Sequence, residues 1–355
     1  MPLTRDAILG ALSRIVSPAT GKDLVASDII RAVTIEDGKV RFVIEVRPEQ
    51  APAMEPVRQA AIAAAEQVAG AGNVSAVITA HAAPKAPDLK IGRHPSKAAG
   101  PVKLAGVSSI IGVASGKGGV GKSTVSANIA VALAAMGKAV GLLDADLYGP
   151  SLPRMLGLTE RPASRDGKTI IPLRAYGVTV MSLGLMLKED EAVIWRGPML
   201  MGALQQLLGQ VDWGTLDVLL VDLPPGTGDV QMTLSQKAEV TGAIVVSTPQ
   251  DIALIDARKA MNMFQRLGTP VLGMIENMSR YVCPECGHEA HIFGHGGARA
   301  DAERLKVPFL GEIPLDLDVR LASDAGMPIV HSRPDGPQAA AFTDIARRLI
   351  GAGHI

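Results

Sequence analysis

The sequence is poor in cysteine and in aromatic residues, and it has no excess of charge of either sign. Its 355 residues include two cysteines, Cys283 and Cys286, which excludes a disulfide framework and a four-thiolate metal site within one chain. Aromatic residues make up 3% of the chain, so stacking platforms for bases are scarce. The 35 basic residues are balanced by 35 acidic residues, whereas a general nucleic-acid binder would carry a basic excess.

Long apolar runs and targeting segments are also missing. No stretch reaches the roughly 18–20 uncharged apolar residues that a membrane span needs. The charged residues Arg5, Asp6 and Arg14 interrupt the first apolar segment, and no small-residue cleavage site follows it. We therefore expect a cytoplasmic protein with no membrane partner.

The length of the chain favours two domains, since a domain typically has about 100–200 residues. Residues 1–80 carry apolar patterns in the order α-β-β-α-β, which predicts a small α+β domain. Residues 81–105 are rich in Pro, Ala, Gly and Lys and are predicted to be a linker, either a solvated tether or a basic docking segment. Residues 106–355 would form the larger domain.

Strands and helices alternate in this larger domain. Most of its predicted strands are continuous apolar runs, as expected for strands that are buried on both faces. They are Ser109–Ala114, Ala139–Asp144, Val178–Ser182, Asp217–Asp222, Ala243–Ser247, Val271–Ile275 and Pro308–Ile313. The predicted helices include Ser123–Met136, Leu200–Leu208, Ile252–Leu267 and Ala298–Leu305. The pattern predicts a doubly wound α/β fold with a mostly parallel sheet.

A glycine-rich segment follows the first of these strands. Gly116-Lys-Gly-Gly-Val-Gly-Lys-Ser123 fits the pattern G-x-x-x-x-G-K-[ST], with a strand before it and an amphipathic helix after it. Glycines let backbone N–H groups turn towards phosphate oxygens, and the helix N-terminus adds its dipole. Lys122 would reach the β and γ phosphates, and Ser123 would place its hydroxyl on Mg²⁺. A chance glycine-rich turn is the plain alternative.

This loop contains a second lysine, Lys117. Placing a lysine inside such a loop costs free energy unless its ammonium contacts an anion. Lys117 therefore either points to solvent or reaches a phosphate, which would lie on a neighbouring subunit if the residue acts in trans like an arginine finger.

Acidic residues end two of the apolar strands. Asp144 and Asp146 end one, and Asp222 ends another, just before a Pro-Pro-Gly turn. Ligands of open α/β sheets bind at this carboxyl edge. Asp222 suits Mg²⁺ through water, Asp144 would support the metal shell, and Asp146 would orient the attacking water. Each acid alone would equally suit a helix cap or a turn, but three beside a phosphate loop favour function.

The two cysteines form a Cys-Pro-Glu-Cys turn that admits three interpretations. Two chains would together supply four thiolates to an iron–sulfur cluster across a twofold axis. Alternatively, Cys283, Cys286, His291 and His295 have the spacing of a compact zinc knuckle within one chain. A thioredoxin-like redox pair is the weakest choice, because the motif follows a phosphate-site domain. The residues alone leave the cluster and zinc about equally supported.

At this point the sequence resembles a known family. The loop with its extra Lys117 resembles the deviant phosphate loop of MinD/ParA-type ATPases, and the ordered set of motifs resembles the Mrp (ApbC) iron–sulfur carrier ATPases over about residues 107–350. Residues 1–80 are similar to the iron–sulfur-assembly domain often fused in front of bacterial members. The strings that carry the resemblance are Asp144-Ala-Asp-Leu-Tyr-Gly-Pro-Ser151, Trp195-Arg-Gly-Pro198, Asp222-Leu-Pro-Pro-Gly-Thr-Gly-Asp229, Glu276-Asn-Met-Ser279, Cys283-Pro-Glu-Cys286 and Phe293-Gly-His-Gly-Gly297.

The resemblance implies a set of cofactors and site residues. It implies ATP with Mg²⁺ at Ser123, Asp144 and Asp222, and catalytic roles for Lys117, Lys122, Asp146 and Asp222. It places Asp146 and Asp222 in the two switch segments, Lys117 across a homodimer and Asn277 against the adenine. It implies a cluster, of the 4Fe-4S type, that Cys283 and Cys286 share with the partner chain. The nucleotide-binding residues implied are Gly116, Lys117, Gly118, Gly119, Val120, Gly121, Lys122, Ser123, Thr124 and Asn277.

We therefore expect a homodimeric, slow ATP hydrolase that carries an iron–sulfur cluster from an assembly scaffold to apoproteins. Some relatives of the N-terminal domain use a cysteine of their own, but residues 1–80 contain none, which favours docking or regulation for this domain. Two alternatives stay open: a MinD/ParA-type positioning switch that binds DNA or membrane with ATP, and a zinc-stabilised ATPase.

Overall fold

The computed structural model describes residues 3–17, 21–27, 29–36, 38–46, 51–80, 101–146, 148–164, 166–186 and 197–355. Most of the predicted linker (81–100) and two residues of one motif, Trp195 and Arg196, lie outside these ranges. The chain divides into two compact units, Met1–Lys85 and Ala86–Ile355. No described helix has the length and apolar character that crossing a membrane requires.

The first unit has the predicted order α-β-β-α-β. Its elements are α1 (Arg5–Leu12), β1 (Ile30–Glu36), β2 (Lys39–Val46), a 3-10 turn (Ala51–Met54), α2 (Glu55–Ala69) and β3 (Val74–Ala80). The oxygen of the predicted cap Thr4 accepts the N–H of Ala7 at 3.3 Å. Strand β2 pairs antiparallel with β1 and parallel with β3. Its side chains alternate between exposed and buried, with Phe42 and Ile44 in the core, so one sheet face packs against the helices.

The second unit is the predicted α/β fold. Its described strands are β4 (Val107–Ser115), β5 (Val140–Asp144), β6 (Ala163–Ser164), β7 (Ile170–Ile171), β8 (Leu173–Ala175), β9 (Val178–Ser182), β10 (Leu216–Asp222), β11 (Gly242–Ser247), β12 (Val271–Val282), β13 (Glu289–Ala290) and β14 (Phe309–Leu315). Its described helices are α3 (Lys122–Ala135), α4 (Leu152–Met155), α5 (Gly197–Gly209), α6 (Asp229–Lys237), α7 (Asp251–Arg266), α8 (Gly297–Leu305), α9 (Leu317–Asp324), α10 (Ile329–Ser332) and α11 (Pro337–Gly351), and a 3-10 turn spans Leu183–Leu185.

The sheet of this unit has nine described strands in the order β13-β12-β11-β4-β10-β5-β9-β8, with β14 paired to β12. Strands β9, β5, β10, β4, β11, β12 and β14 run parallel, and β8 and β13 are antiparallel at the periphery. The prediction of a doubly wound, mostly parallel sheet is confirmed.

Burial on both faces explains the continuous apolar strands. In β4, Ile111 and Val113 join the core cluster that includes α3 and α11, whereas Ile110 and Ala114 join the cluster that includes α5. Each strand therefore needs apolar side chains in both directions. Val102, in the predicted linker, also belongs to this unit by its contacts, since its N–H donates to the Lys237 carbonyl at 3.0 Å.

Parallel register brings the predicted site together. Asp222 at the end of β10 lies opposite Asp144 at the end of β5 and opposite Val113 of β4. The loop that leaves β4 and the acids that follow β5 and β10 therefore meet at one sheet edge.

Candidate functional site: a phosphate loop and a cysteine hairpin

The glycine-rich loop links β4 to α3 and opens a cavity of about 190 Å³. Gly119 and Gly121 have φ values of 81° and 79°, in the left-handed region that favours glycine. No side chain caps α3, so the first N–H groups of this helix have no side-chain acceptor, and its dipole favours an anion there. The cavity is lined by Ser115, Lys117, Gly118, Gly119, Val120, Gly121, Lys122, Ser123, Thr124, Asp146, Ser151, Met155 and Pro225.

Lys122 and Ser123 converge on Asp222. The Lys122 Nζ lies 2.8 Å from the Asp222 Oδ2, and the hydroxyl of Ser123 donates to the same oxygen at 2.6 Å. The hydroxyl of Ser126 donates to the other carboxylate oxygen at 2.6 Å. Asp222 is fully buried and Lys122 is 6% exposed, so this ammonium is the main charge that balances the buried carboxylate.

The other two acids are close by but differ in their surroundings. Asp144 is buried, and its carboxylate accepts the N–H groups of Asp146 (3.1 Å) and Leu152 (3.2 Å) and the hydroxyl of Ser182 (3.1 Å). Burial and the Asp222 charge raise the pKa of Asp144 to about 7. Burial also raises the pKa of Asp146, whose Oδ2 lies 3.9 Å from the Lys122 Nζ, although Lys122 opposes the shift.

These oxygens fit a magnesium site. Mg²⁺ prefers oxygen ligands and usually takes one or two carboxylates together with phosphate oxygens and water. The Ser123 hydroxyl and the Asp222 carboxylate already touch each other beside the phosphate loop. Asp144 has three protein donors of its own, which suits it to hold the β5 end in place beside Asp222.

Lys117 lies on the exposed side of the loop. Its carbonyl accepts the hydroxyl of Ser115 at 3.0 Å, which fixes its backbone. No acid among the described residues forms an ion pair with its ammonium. Within the described residues, this charge is therefore available to an anion from outside the chain.

Three buried side chains that hold the site together were not predicted in these roles. The amide of Gln231 donates to the carbonyls of Pro224 (2.7 Å) and Gly226 (3.0 Å), and its oxygen accepts the Gly228 N–H at 3.1 Å. It thereby fixes the loop after Asp222. The signal in the sequence was Gly228-x-x-Gln231, which resembles a capping box at the start of α6.

The other two are neighbours in β12. The amide of Asn277 donates to the Val120 carbonyl at 2.8 Å, so this residue supports the phosphate loop; its implied contact with adenine stays a prediction. The carboxylate of Glu276 accepts the N–H groups of Gly296 (3.0 Å) and Ala298 (2.7 Å) and caps α8.

The cysteines lie on a short β-hairpin, residues 281–290, which we call the cysteine hairpin. Tyr281 pairs with Ala290, and the Cys283 N–H donates to the His288 carbonyl at 2.9 Å. Cys283 is half-buried and Cys286 is exposed. Backbone N–H groups of Cys286 and Glu285, followed by the Cys286 thiol, lower the pKa of Cys283, which favours the thiolate that a metal requires.

The histidines near this hairpin do not complete a zinc site. The rings of His291 and His295 contact each other at an angle of 39°, with centroids 4.3 Å apart, and the His291 Nε2 lies 3.7 Å from a Glu289 oxygen. Within the described part of the chain, no three His, Cys, Asp or Glu side chains are grouped as metal ligands. The compact zinc knuckle that the spacing allowed is therefore not formed in this structure.

Two glycines of the phosphate loop differ in how closely other atoms approach them, which gives a first prediction. A Cβ added at Gly116 would lie 2.0 Å from the Asp256 carbonyl carbon, whereas one at Gly118 would lie 3.8 Å from Pro225. We expect Gly116→Ala to lower the free energy of unfolding by about 3 kcal/mol and Gly118→Ala to change it by less than about 0.5 kcal/mol.

Urea unfolding followed by tryptophan fluorescence measures this difference. Both tryptophans, Trp195 and Trp213, belong to the second unit, so the signal reports on that unit alone. Equal stability of the two variants would show that the loop does not depend on its close approach to α7.

Comparison with known proteins agrees with this geometry. Residues 106–350 match the family model of the NUBPL iron-transfer P-loop NTPases, and residues 5–76 match that of an iron–sulfur cluster assembly protein. The iron–sulfur cluster carrier protein of Synechocystis is 42% identical over 354 residues, 98% of each chain. That of Haemophilus influenzae is 53% identical over 245 residues, which are 69% of this chain and 66% of the relative.

A solved structure is also similar to this chain. The nucleotide-binding protein of Archaeoglobus fulgidus in complex with ADP is 40% identical, with a TM-score of 0.59, and the match covers 68% of this chain and 94% of that one. The first family model alone covers more than half of the chain. The protein therefore belongs to the iron-transfer P-loop NTPases, the family of the iron–sulfur cluster carriers.

Proposed function

We propose that this protein binds and slowly hydrolyses ATP and carries an iron–sulfur cluster that it transfers to apoproteins. The observation that carries the proposal is the convergence of Lys122 and Ser123 on Asp222, in the same unit as a turn with two thiols. The carrier names of its relatives support the cargo, and the ADP of the Archaeoglobus structure supports the nucleotide.

The residues of the phosphate loop have distinct tasks in this proposal. Backbone N–H groups of residues 116–124 bind the phosphates, and Ser123 and Asp222 hold Mg²⁺, which would neutralise the developing phosphate charge. Lys122 now neutralises Asp222, and ATP with Mg²⁺ would free it to move to the phosphates. Asp146 lines the cavity. In this proposal it orients the attacking water.

The cluster is cargo and needs more ligands than one chain has. Cys283 and Cys286 supply two thiolates, so a second copy of the chain would supply the other two across a twofold axis. A dimer would also bring an external phosphate to Lys117. We propose a homodimer with a 4Fe-4S cluster at its interface, working in the cytoplasm. The N-terminal unit, which matches an assembly-protein model, would dock the scaffold or the recipient.

Metal analysis of protein purified without oxygen tests the proposal. We expect about two iron and two sulfide per chain after reconstitution, with zinc below about one tenth of the iron, a dimer by light scattering, and ATP hydrolysis that requires Mg²⁺. One zinc per chain with no iron would instead support the zinc-stabilised ATPase.

The positioning-switch alternative predicts binding to membrane or DNA with ATP. An anchoring C-terminal helix needs an exposed apolar face. In α11, however, Phe342, Ile345 and Leu349 are buried in the core of the second unit. Pelleting with anionic liposomes or DNA, with and without ATP, would revive this alternative if the protein sedimented only with nucleotide.

A further inference from the structure

Glu276 and Asn277 are consecutive residues near the middle of β12 whose polar side chains are buried, with exposures of 0% and 7%. Consecutive strand residues point to opposite faces of a sheet. Asn277 therefore reaches the phosphate loop, while Glu276 reaches the segment that follows the cysteine hairpin. The sequence alone did not show this division.

Asn277 contacts the phosphate loop in two ways. Its amide donates to the Val120 carbonyl across 157 positions of sequence, at 2.8 Å. The same amide nitrogen lies 2.3 Å from the point where a Cβ on Gly121 would sit, so the contact requires glycine there. A phosphate that moves the loop would therefore move or release the Asn277 amide.

The Glu276 carboxylate binds the end of the segment that contains the cysteines. Its Oε1 accepts the N–H of Gly296, 20 positions away, and its Oε2 accepts the N–H of Ala298. Gly296 is the cap residue of α8 and offers no side chain, so Glu276 supplies the missing acceptor and its charge meets the helix dipole. The chain leaves β12, forms the cysteine hairpin, and comes back to Glu276 at Gly296 and Ala298.

The strand is irregular just after these two residues. Met278 has a φ of 57°, which is rare for a residue other than glycine, and the pairing with β14 shifts between Asn277 and Tyr281. Such a bulge marks a place where a strand changes direction and can do so differently in two states. It lies between Asn277 and Cys283.

We propose that Glu276 and Asn277 are positioning residues that couple the phosphate loop to the cysteine hairpin. Nucleotide phosphates change the loop that Asn277 touches, β12 carries the change past the bulge, and Glu276 keeps the far end of the cysteine segment fixed so that the hairpin moves relative to α8. This inference rests on the proposed function, because it requires that nucleotide binds the loop.

The rate of thiol alkylation tests the coupling. Cys283 and Cys286 are the only cysteines in the sequence, so every alkylated thiol belongs to the hairpin. Reduced, cluster-free, full-length protein is treated with N-ethylmaleimide, with and without Mg²⁺ and a non-hydrolysable ATP analogue, and the products are counted by mass spectrometry. We expect the analogue to change the wild-type rate about fivefold or more.

Substitutions at the two positions should remove this response when the alkylation rates are measured at analogue concentrations that saturate each variant. In Asn277→Ala we expect the change in rate to fall below about 1.5-fold. The analogue is held at a concentration that calorimetry shows to saturate this variant, because Asn277 is also one of the residues expected to contact the nucleotide. Glu276→Gln, which keeps the shape and loses the charge at α8, should reduce the response in the same way. Thr269→Val is the matched control: this buried residue lies just before β12, at the opposite end of the strand from the cysteine hairpin, and its hydroxyl donates to Ser235 at 3.0 Å, so the variant should respond like wild type.

The outcomes separate the inference from the proposed function. A wild-type protein that binds the analogue without a change in thiol rate, or an Asn277→Ala protein that keeps the full change, would overturn the coupling and leave the carrier function standing. A wild-type protein that does not bind the analogue would overturn both. Circular dichroism of each variant confirms that a lost response does not reflect unfolding.

Discussion

Replacement of Cys283 by alanine should remove most of the iron and sulfide that the wild-type protein retains after anaerobic reconstitution. Both cysteines lie on one hairpin turn, and a twofold axis would turn two such pairs into four thiolates. The substitution takes one ligand from each chain, and therefore two of four from a shared cluster. We expect the retained iron to fall below about one tenth of the wild-type amount.

His291→Ala is the matched control for this experiment. His291 belongs to the zinc set that the sequence allowed, but in the structure its ring contacts that of His295 at an angle of 39°. A cluster held by cysteines should survive the change, and the reconstituted protein should remain a dimer. If His291→Ala loses as much metal as Cys283→Ala, or if Cys283→Ala keeps its iron, the shared cluster is not held as proposed.

Local patterns were sufficient where burial alone decides the structure. The predicted strand Val178–Ser182 has the observed bounds, because all five of its residues are buried and apolar or small. The sequence also predicted that Asp222 would lie near the phosphate loop, since the carboxyl ends of parallel strands meet at one edge of the sheet. The ion pair between Lys122 and Asp222 was not predicted.

Sequence patterns gave wrong or open predictions where a polar residue bonds to a partner that is distant in the sequence. The strand predicted to end at Ile275 continues to Val282. The prediction ended it early because polar residues such as Glu276 and Asn277 are typical of loops. In the structure both are buried, and they bond to Gly296 and Val120. The spacing of cysteines and histidines likewise allowed a zinc knuckle, and only the path of the chain shows that His291 faces His295.

Lys122→Met should both destabilise the second unit and stop ATP hydrolysis. The ammonium is buried and lies 2.8 Å from a fully buried carboxylate, so its loss leaves Asp222 without its counter-charge. Breaking such a pair costs about 3 kcal/mol or more of unfolding free energy. Hydrolysis should fall about 100-fold or more, because a donor aimed at the reacting phosphate is lost.

The double variant Lys122→Met/Asp222→Asn separates the two effects. It removes both charges, so urea unfolding in EDTA and without nucleotide should show that most of the lost stability returns. Hydrolysis should not return, since the proposed Mg²⁺ ligand is also gone. A double variant as unstable as Lys122→Met would mean that the lysine stabilises the unit by packing and not by its charge.

The loss of stability in Lys122→Met should also depend on pH. Burial and Asp222 already raise the pKa of Asp144 from 3.8 to about 7, and Lys122 is one of the groups that hold it down. Without the lysine this pKa rises further, so between 3.8 and the raised value the folded protein binds more protons than the unfolded chain. Stability then falls as pH rises through that window, and the deficit of Lys122→Met relative to wild type should be larger at about pH 8 than at about pH 5. A deficit that is the same at both values would show that the pKa of Asp144 does not depend on the lysine.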